Sequence, residues 1–280
     1  MVNLNGKLSQ DKEFLLGTNN RGFLYGDALF ETVRVLNGRP VFWEDHYLRL
    51  MSSMRILRME IPMSFSLEFL QDEITRTSDE LAISHGARVR ITIFRNPGGL
   101  YSPRTNEISY CIEASPLEKP FYTLTEKACE IELYKDFTLS RGLLSNLKTT
   151  NRLINVLGSV YAQENGLDNC ILLNDKKMVT EVLNGNIFMV KGTKILTPPL
   201  ADGCIKGVVR KKLLEIIPKT EGLTAEEKTI SPFELQQADE LFFTNSIQGI
   251  VSITKYRKKN FADARARSLV GKLNAAARFS

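Results

Sequence analysis

The sequence predicts an α+β protein with two domains, a smaller one over residues 1–114 and a larger, strand-rich one over residues 122–280. In the first part, two segments with helical apolar spacing lie among alternating strands, whereas the second part is mostly short strands separated by turn residues. Between the two parts, residues 115–120 contain two prolines, so we predict an interdomain linker over residues 115–121. A chain of 280 residues, 43% of them apolar, is long enough for two such cores.

The first domain begins with a short strand and a turn. A strand over residues 30–35 follows, and it ends at Asn37-Gly38, a pair typical of two-residue hairpin turns. Residues 43–58 and 66–83 predict two helices, the first because its apolar side chains recur at helical spacing. This helix pair packed beside strands predicts an α+β first domain.

Two further strands, over residues 88–94 and 107–114, complete the first domain. Polar and apolar residues alternate in the first of these strands, so Arg88, Arg90 and Thr92 share one of its faces. That face therefore carries two cations side by side.

The second domain has more strands than helices. Its predicted strands cover residues 128–134, 169–174, 178–181, 186–190 and 194–197. One helix follows Lys148 and ends near Gly166, and another begins at Val208. Ser231-Pro232-Phe233-Glu234 is a capping box with proline at the first helical position, which predicts one more helix start.

Composition and charge exclude several classes of protein. The formal net charge is +5, and the basic residues are spread along the chain, so we expect neither nucleic acid nor a membrane as a partner. The chain begins without an apolar signal segment and contains no apolar run of membrane-spanning length, which favours a cytoplasmic protein. Its cysteines are not spaced as C-x-x-C and predict reduced, mostly buried thiols; they are Cys111, Cys129, Cys170 and Cys204.

The two histidines, His46 and His85, are too few for a histidine-rich metal site, and we predict no metal. A Ser-His-Asp enzyme would need one of them, and His46 lies in a helical stretch that favours a structural role. The chain also lacks a nucleophile elbow, a P-loop and a dinucleotide-binding glycine motif.

Four segments carry groups suited to chemistry. Lys148 stands just before an apolar helical run, and Glu181 ends a strand that leads into Asn184-Gly185-Asn186. Gly207-Val208-Val209 opens a helix, and Ala238-Asp239-Glu240 is followed by Thr244-Asn245-Ser246. One amine, one acid and two backbone segments suited to a phosphate are the parts that a pyridoxal phosphate site needs.

The order of these segments resembles the class-IV aminotransferases, the fold-type-IV pyridoxal phosphate enzymes. This family includes branched-chain and D-amino-acid aminotransferases and aminodeoxychorismate lyase. Its N-terminal motifs resemble residues 21–34 and His46-Tyr47-Leu48-Arg49-Leu50, and the likeness extends from Asn3 to about Tyr256. The resemblance implies two α+β domains with pyridoxal 5′-phosphate between them, a small amino or carboxylate substrate, and a homodimer.

The resemblance also implies a role for each cofactor residue. Lys148 bonds to the cofactor and moves protons, Glu181 keeps the ring nitrogen protonated, and Asn186 supports the same loop. The phosphate contacts fall on Arg49, Gly207, Val208, Val209 and Ser246. The family usually has isoleucine-threonine where this chain has Val208-Val209, so one hydroxyl is missing. Each of these residues could instead be an ordinary surface or packing residue, and a non-catalytic protein that kept the fold is a further hypothesis.

On the substrate side, Tyr25, Phe30 and Arg34 match pocket positions of the family. Arg90 matches an arginine that meets a substrate carboxylate in several relatives, and Arg88 adds a second charge on the same strand face. The pair suits a substrate with two carboxylates. The alternative is an edge strand with solvated arginines.

Three features favour 4-amino-4-deoxychorismate lyase, which forms 4-aminobenzoate and pyruvate. Leu153 stands where branched-chain aminotransferases commonly have tyrosine, and Asn245 and the Arg95-x-x-Gly-Gly-x-Tyr-Ser segment are similar to lyases. The alternative is an aminotransferase of branched-chain or D-amino-acid type that uses 2-oxoglutarate. D-amino-acid aminotransferases also lack that tyrosine, so the sequence leaves both reactions open.

Overall fold

The computed structural model describes residues 1–9, 17–80 and 86–280, so His85 and the end of the predicted helix 66–83 lie outside the described residues. The chain forms two compact units. The first unit comprises Met1–Phe121, Lys148–Asn151 and Ser280, and the second comprises Tyr122–Leu147 and Arg152–Phe279. Lys148 therefore groups with the first unit although most of its neighbours in sequence belong to the second. The predicted domain boundaries remain a prediction.

In its described residues, the first unit has one antiparallel sheet and three helices. Its elements are β1 (Val2–Leu4), β2 (Lys7–Ser9), α1 (Arg21–Tyr25), β3 (Ala28–Leu36), β4 (Arg39–Pro40), α2 (Trp43–Ile56), α3 (Leu67–Asp79), β5 (Gly86–Arg95) and β6 (Ile108–Pro116). The strand order is β2-β1-β6-β5-β3-β4, and every described pair is antiparallel. Helix α2 packs against β3 and α3 against β6, which confirms the predicted helix pair beside strands.

The predicted hairpin joins β3 and β4. Asn37 has φ 49° and Gly38 has φ 75°, and two consecutive positive φ angles are what a type I′ turn requires. Strand β5 alternates as predicted, with Val89, Ile91 and Ile93 fully buried behind the face that carries the two arginines.

The second unit contains two five-stranded sheets. Its elements are β7 (Glu130–Leu139), α4 (Leu153–Glu164), β8 (Asn169–Asn174), β9 (Val179–Val182), β10 (Asn186–Lys191), β11 (Lys194–Thr197), α5 (Val208–Ile216), β12 (Thr224–Glu227), β13 (Glu240–Asn245), β14 (Gly249–Ile253), β15 (Lys255–Tyr256), β16 (Lys259–Asn260) and α6 (Ala264–Arg278). The sheet orders are β12-β11-β10-β13-β14 and β16-β15-β7-β8-β9. Apolar residues of both sheets, including Ile131, Ile171, Ile187, Leu241 and Val251, share one buried cluster, so the sheets meet face to face.

Several local details differ from the sequence predictions. Strand β6 continues to Pro116, into the predicted linker, because its last residues still pair with β5. The capping box forms, with the Ser231 N–H donating to the Glu234 carboxylate at 2.9 Å, but it opens a short 3₁₀ turn over Glu234–Gln237. Helix α6 was not predicted, although its buried residues Leu269, Leu273 and Ala277 recur at helical spacing.

The burial of the cysteines is as predicted, since all four are buried, and none of them forms a disulfide. Among the described helices, none is both long and apolar enough to cross a membrane.

Candidate active site

Lys148 is held against strand β3 by backbone hydrogen bonds. The Phe30 N–H donates to the Lys148 carbonyl at 2.9 Å, and the Thr150 N–H donates to the Ala28 carbonyl at 3.0 Å. The Asn151 side-chain amide donates to the Gly26 carbonyl at 3.0 Å. These bonds make Lys148–Asn151 a short antiparallel extension of the first unit's sheet, and they bring Lys148 Nζ to 3.6 Å from the centroid of the Phe30 ring.

The Phe30 ring also contacts Arg90, the predicted substrate-binding arginine. The Arg90 guanidinium lies 4.0 Å from the same ring centroid, so the Lys148 amine and the guanidinium are at most 8 Å apart. Arg90 donates to the Thr92 hydroxyl at 3.3 Å and forms no ion pair among the described residues. Burial lowers the pKa of the Arg90 guanidinium, Glu113 opposes this effect and Arg88 adds to it. Two cations thus share one aromatic ring on the half-buried face of the sheet.

Two other predicted pocket residues have local partners in the first unit. Arg34 is buried, and its guanidinium donates to the backbone carbonyls of Lys119, Pro120 and Phe121. Tyr25 packs against the exposed Tyr101, with the ring centroids 5.7 Å apart. Arg34 therefore anchors the end of the first unit, and its role toward a substrate stays a prediction.

Arg49 meets a buried acid, Glu31, on the opposite face of β3 from Phe30. Arg49 Nε donates to Glu31 Oε1 at 2.8 Å, and its Nη2 donates to Glu31 Oε2 at 2.5 Å. His46 Nδ1 lies 2.8 Å from the same Oε2. Burial by itself would raise the pKa of Glu31, but the charge of Arg49 and the hydrogen bonds from His46 and Arg49 lower it to about 2.

In the second unit, Glu181 and Asn186 hold one residue from both sides. Glu181 is buried at the middle of β9, and its Oε2 accepts the Ile205 N–H at 2.9 Å. The Asn186 amide donates to the Ile205 carbonyl at 2.8 Å. A side chain at Gly207 would place its Cβ 2.0 Å from Asn186 Oδ1, so any larger residue there would have to displace Asn186. The predicted acid and the predicted supporting asparagine therefore position the chain that enters α5.

The N-terminus of α5 suits an anion. Gly207 is the N-cap residue, no described side chain caps the helix, and its first turn contains no acidic residue. The side chains of Val208 and Val209 are buried, which leaves their backbone amides at the helix start. The first-turn amides of a helix have no partner within the helix, and together with the helix dipole they favour a phosphate. These residues therefore fit a phosphorylated cofactor.

The turn between β13 and β14 contains the last two predicted site residues. Asn245 Oδ1 accepts the N–H groups of Ile247 and Gln248, at 3.1 and 2.8 Å, so this side chain builds the turn. The Ser246 carbonyl accepts the hydroxyl of Tyr122 at 3.0 Å. A substrate contact by Asn245 and a phosphate contact by Ser246 stay predictions.

Within each unit, some of the predicted site residues therefore lie close together. The first brings Lys148, Phe30 and Arg90 together, and the second brings Glu181, Asn186 and Gly207 together. Sequence reasoning did not identify Glu31 or Tyr122 as site-supporting residues. For Glu31 a signal existed, because the alternation of β3 places this acid on the buried face.

Comparison with known proteins identifies the family of this chain. Residues 28–256 match the family described as amino-transferase class IV. The chain is 29% identical to an aminodeoxychorismate lyase of Bacillus subtilis over 93% of this chain and 88% of that protein. It is 27% identical to a D-alanine aminotransferase of Bacillus licheniformis over 90% and 87% of the two chains. A branched-chain aminotransferase from Thermoproteus uzoniensis has the same fold, with a TM-score of 0.85, 24% identity, and coverage of 99% of this chain and 93% of that one.

The predicted fold class and cofactor are confirmed by these matches, since the family consists of pyridoxal-phosphate-dependent enzymes of fold type IV. The matched region covers most of the chain and contains the predicted lysine, acid and phosphate segment. The chain therefore belongs to the class IV aminotransferase family and is a pyridoxal-phosphate-dependent enzyme.

Proposed function

We propose that this enzyme is a 4-amino-4-deoxychorismate lyase that releases 4-aminobenzoate and pyruvate. The observation that supports this most is the Arg90 guanidinium beside Lys148, since it lacks an ion-pair partner among the described residues. A half-buried cation of this kind favours a carboxylate as its partner. The substrate carries two carboxylates, and Arg88 offers a second cation on the same strand face.

We assign the cofactor residues as the sequence predicts them. In the first unit, Lys148 bonds to the cofactor and Arg49 meets its phosphate; in the second, Glu181 meets the ring nitrogen while Val208, Val209 and Ser246 meet the phosphate. When bound, pyridoxal phosphate withdraws electrons from the carbon that carries the substrate's amine.

Lys148 removes the proton from that amine-bearing carbon. In the lyase reaction, the enolpyruvyl group then leaves the neighbouring ring carbon, accepts a proton and becomes pyruvate, and the remaining ring becomes aromatic. In a transamination, Lys148 would move the same proton, no group would leave the neighbouring carbon, and the amino group would pass to 2-oxoglutarate. The reaction therefore depends on which substrate Arg88 and Arg90 orient beside the lysine.

An aminotransferase of branched-chain or D-amino-acid type that uses 2-oxoglutarate is the second candidate. The hydrogen bonds of Asn245 are the reason to retain this alternative. The Asn245 side chain bonds within its own turn, so it adds no support for the lyase.

The deciding experiment supplies the purified protein with 4-amino-4-deoxychorismate and, separately, with amino acids plus 2-oxoglutarate. We expect 4-aminobenzoate, followed by its fluorescence, and an equal amount of pyruvate, with slower amino transfer. The Lys148→Ala variant is the control for background decay of the substrate. Efficient transamination of leucine, valine or D-alanine without any 4-aminobenzoate would overturn the lyase assignment and leave the cofactor site intact.

We also propose a homodimer, supported by an apolar stripe on α4. Leu153, Val156, Leu157 and Val160 recur at the spacing of one helix face and are 69%, 55%, 36% and 46% exposed. An exposed stripe of this size on a helix favours burial against another protein surface, here a second copy of the chain. Light scattering should give a dimer mass for the native protein and a monomer mass for Val156→Asp, and a native monomer would contradict the proposal. We also propose a cytoplasmic location, supported by four buried cysteines that form no disulfide.

A further inference from the structure

His46 is a fully buried histidine whose two ring nitrogens have different surroundings. Its Nδ1 lies 2.8 Å from Glu31 Oε2, and its Nε2 has no hydrogen-bond partner among the described residues. An ionised carboxylate can only accept, so Nδ1 must carry the proton. In the neutral ring, Nε2 is then a buried acceptor without a donor.

The charges around His46 keep the ring neutral. Burial lowers the pKa of His46, Glu31 opposes this effect, and the cations of Arg49 and Lys148 strengthen it. A protonated ring would also carry a second N–H at Nε2, buried without an acceptor among the described residues and close to these two cations. His46 therefore donates one hydrogen bond, and that bond goes to Glu31.

Glu31 transmits this bond to Arg49. Its Oε2 is shared by His46 Nδ1 and Arg49 Nη2, while Oε1 accepts Arg49 Nε. The terminal torsion of a glutamate is broad, so the carboxylate needs partners on more than one side to stay in one plane. His46 supplies the partner outside the arginine, and the plane of the carboxylate then sets the plane of the paired guanidinium.

We propose that His46 is a positioning residue for Arg49: acting through Glu31, it fixes the orientation in which the guanidinium meets the phosphate of the cofactor. This inference rests on the phosphate role of Arg49 in the proposed function. If the side chain at position 46 only filled space, leucine would be more stable than histidine there. An unsatisfied buried acceptor such as Nε2 costs about 1–3 kcal/mol, and leucine has no such group. The imidazole is therefore explained by its donor at Nδ1.

The test compares three substitutions. His46→Asn keeps an N–H near the Nδ1 position and is the matched control, since the lost Nε2 had no partner among the described residues. His46→Leu removes the donor, and His46→Gln keeps the size and polarity but moves the amide toward the Nε2 position. Dissociation constants of the cofactor-free protein are measured for pyridoxal 5′-phosphate and for pyridoxal, which lacks the phosphate. Melting temperatures check that each variant is folded, and His46→Gln serves in place of His46→Leu if the latter does not fold.

We expect His46→Leu and His46→Gln to weaken pyridoxal 5′-phosphate binding about tenfold, a size typical of partners that orient a ligand-binding group. Binding of pyridoxal should not change, and His46→Asn should bind like the native protein. In an Arg49→Met background, removing the His46 donor should cause no further loss, because the effect acts through Arg49. Equal losses for both ligands, or losses that add to that of Arg49→Met, would overturn the positioning role. If Arg49→Met alone leaves the affinity unchanged, the phosphate assignment of the proposed function fails instead.

Discussion

The two units of the molecule present different kinds of chemical groups. The first offers charged side chains, Lys148 and Arg90 on one face of its sheet and Arg49 on the other. The second offers backbone amides at the start of α5 and a buried acid, Glu181, that accepts a backbone N–H. A side-chain charge disappears with one substitution, whereas a backbone group stays and changes only when its support moves. Substitutions in the two units should therefore differ in size and in kind.

The largest effect is expected for Lys148 in the first unit. Lys148→Ala removes the amine that bonds to the cofactor and moves the proton, so turnover should fall by at least about 10³-fold. Borohydride reduction of the native protein should leave the cofactor on the peptide that contains Lys148. The surface variant Lys127→Ala is the control and should keep full activity. Finding the cofactor on another lysine would refute the assignment.

Glu181→Gln should give the next largest effect, and it is the strongest side-chain effect expected in the second unit. The amide oxygen of glutamine can still accept the Ile205 N–H, so the fold and cofactor binding should persist. Turnover should fall about 100-fold, because a neutral amide no longer holds the ring nitrogen protonated. Steady-state kinetics beside a cofactor absorbance titration measure both properties. Near-normal turnover would show that another group serves the ring, and Glu130→Gln on the surface is the control.

Replacing both Arg88 and Arg90 by methionine should affect the substrate and spare the cofactor. Loss of a charge-assisted hydrogen bond, about 1.5–3 kcal/mol, should raise KM for a dicarboxylate about 10- to 100-fold. Cofactor absorbance should match that of the native protein. Single variants rank the two residues, and we expect Arg90 to contribute more because it lies beside Phe30 and Lys148. An unchanged KM would place the substrate carboxylates elsewhere.

Gly207→Ala should give the smallest of these effects and tests the backbone half of the comparison. The new Cβ would lie 2.0 Å from Asn186 Oδ1, so Asn186 must move and release the Ile205 carbonyl. Cofactor affinity should fall about tenfold while the groups that touch the substrate stay unchanged. Gly271→Ala is the matched control, since open space surrounds that helical glycine and alanine should stabilise it by about 1 kcal/mol. Unchanged affinity in Gly207→Ala would mean that α5 begins independently of Asn186.

The sequence by itself determined most of the local structure. Periodicity placed α2 and strand β5, and the Asn37-Gly38 pair placed the hairpin, because spacing and turn type are properties of neighbouring residues. It also supplied the family resemblance, since the motifs around Lys148 and Glu181 are short and contiguous. The last helix, α6, was missed although its spacing was readable.

The tertiary structure decided which group each side chain meets. Arg34 lies on a strand face next to other pocket positions, yet its guanidinium bonds to carbonyls 119–121, far along the chain. Arg49 is paired with Glu31 and His46, and Lys148 lies along β3 beside Phe30. A local pattern specifies the face on which a side chain lies, but its partner there comes from another part of the chain. A buried charged side chain needs such a partner, because burial without one is costly. Sequence spacing does not specify this partner, so only the tertiary structure shows which two side chains meet.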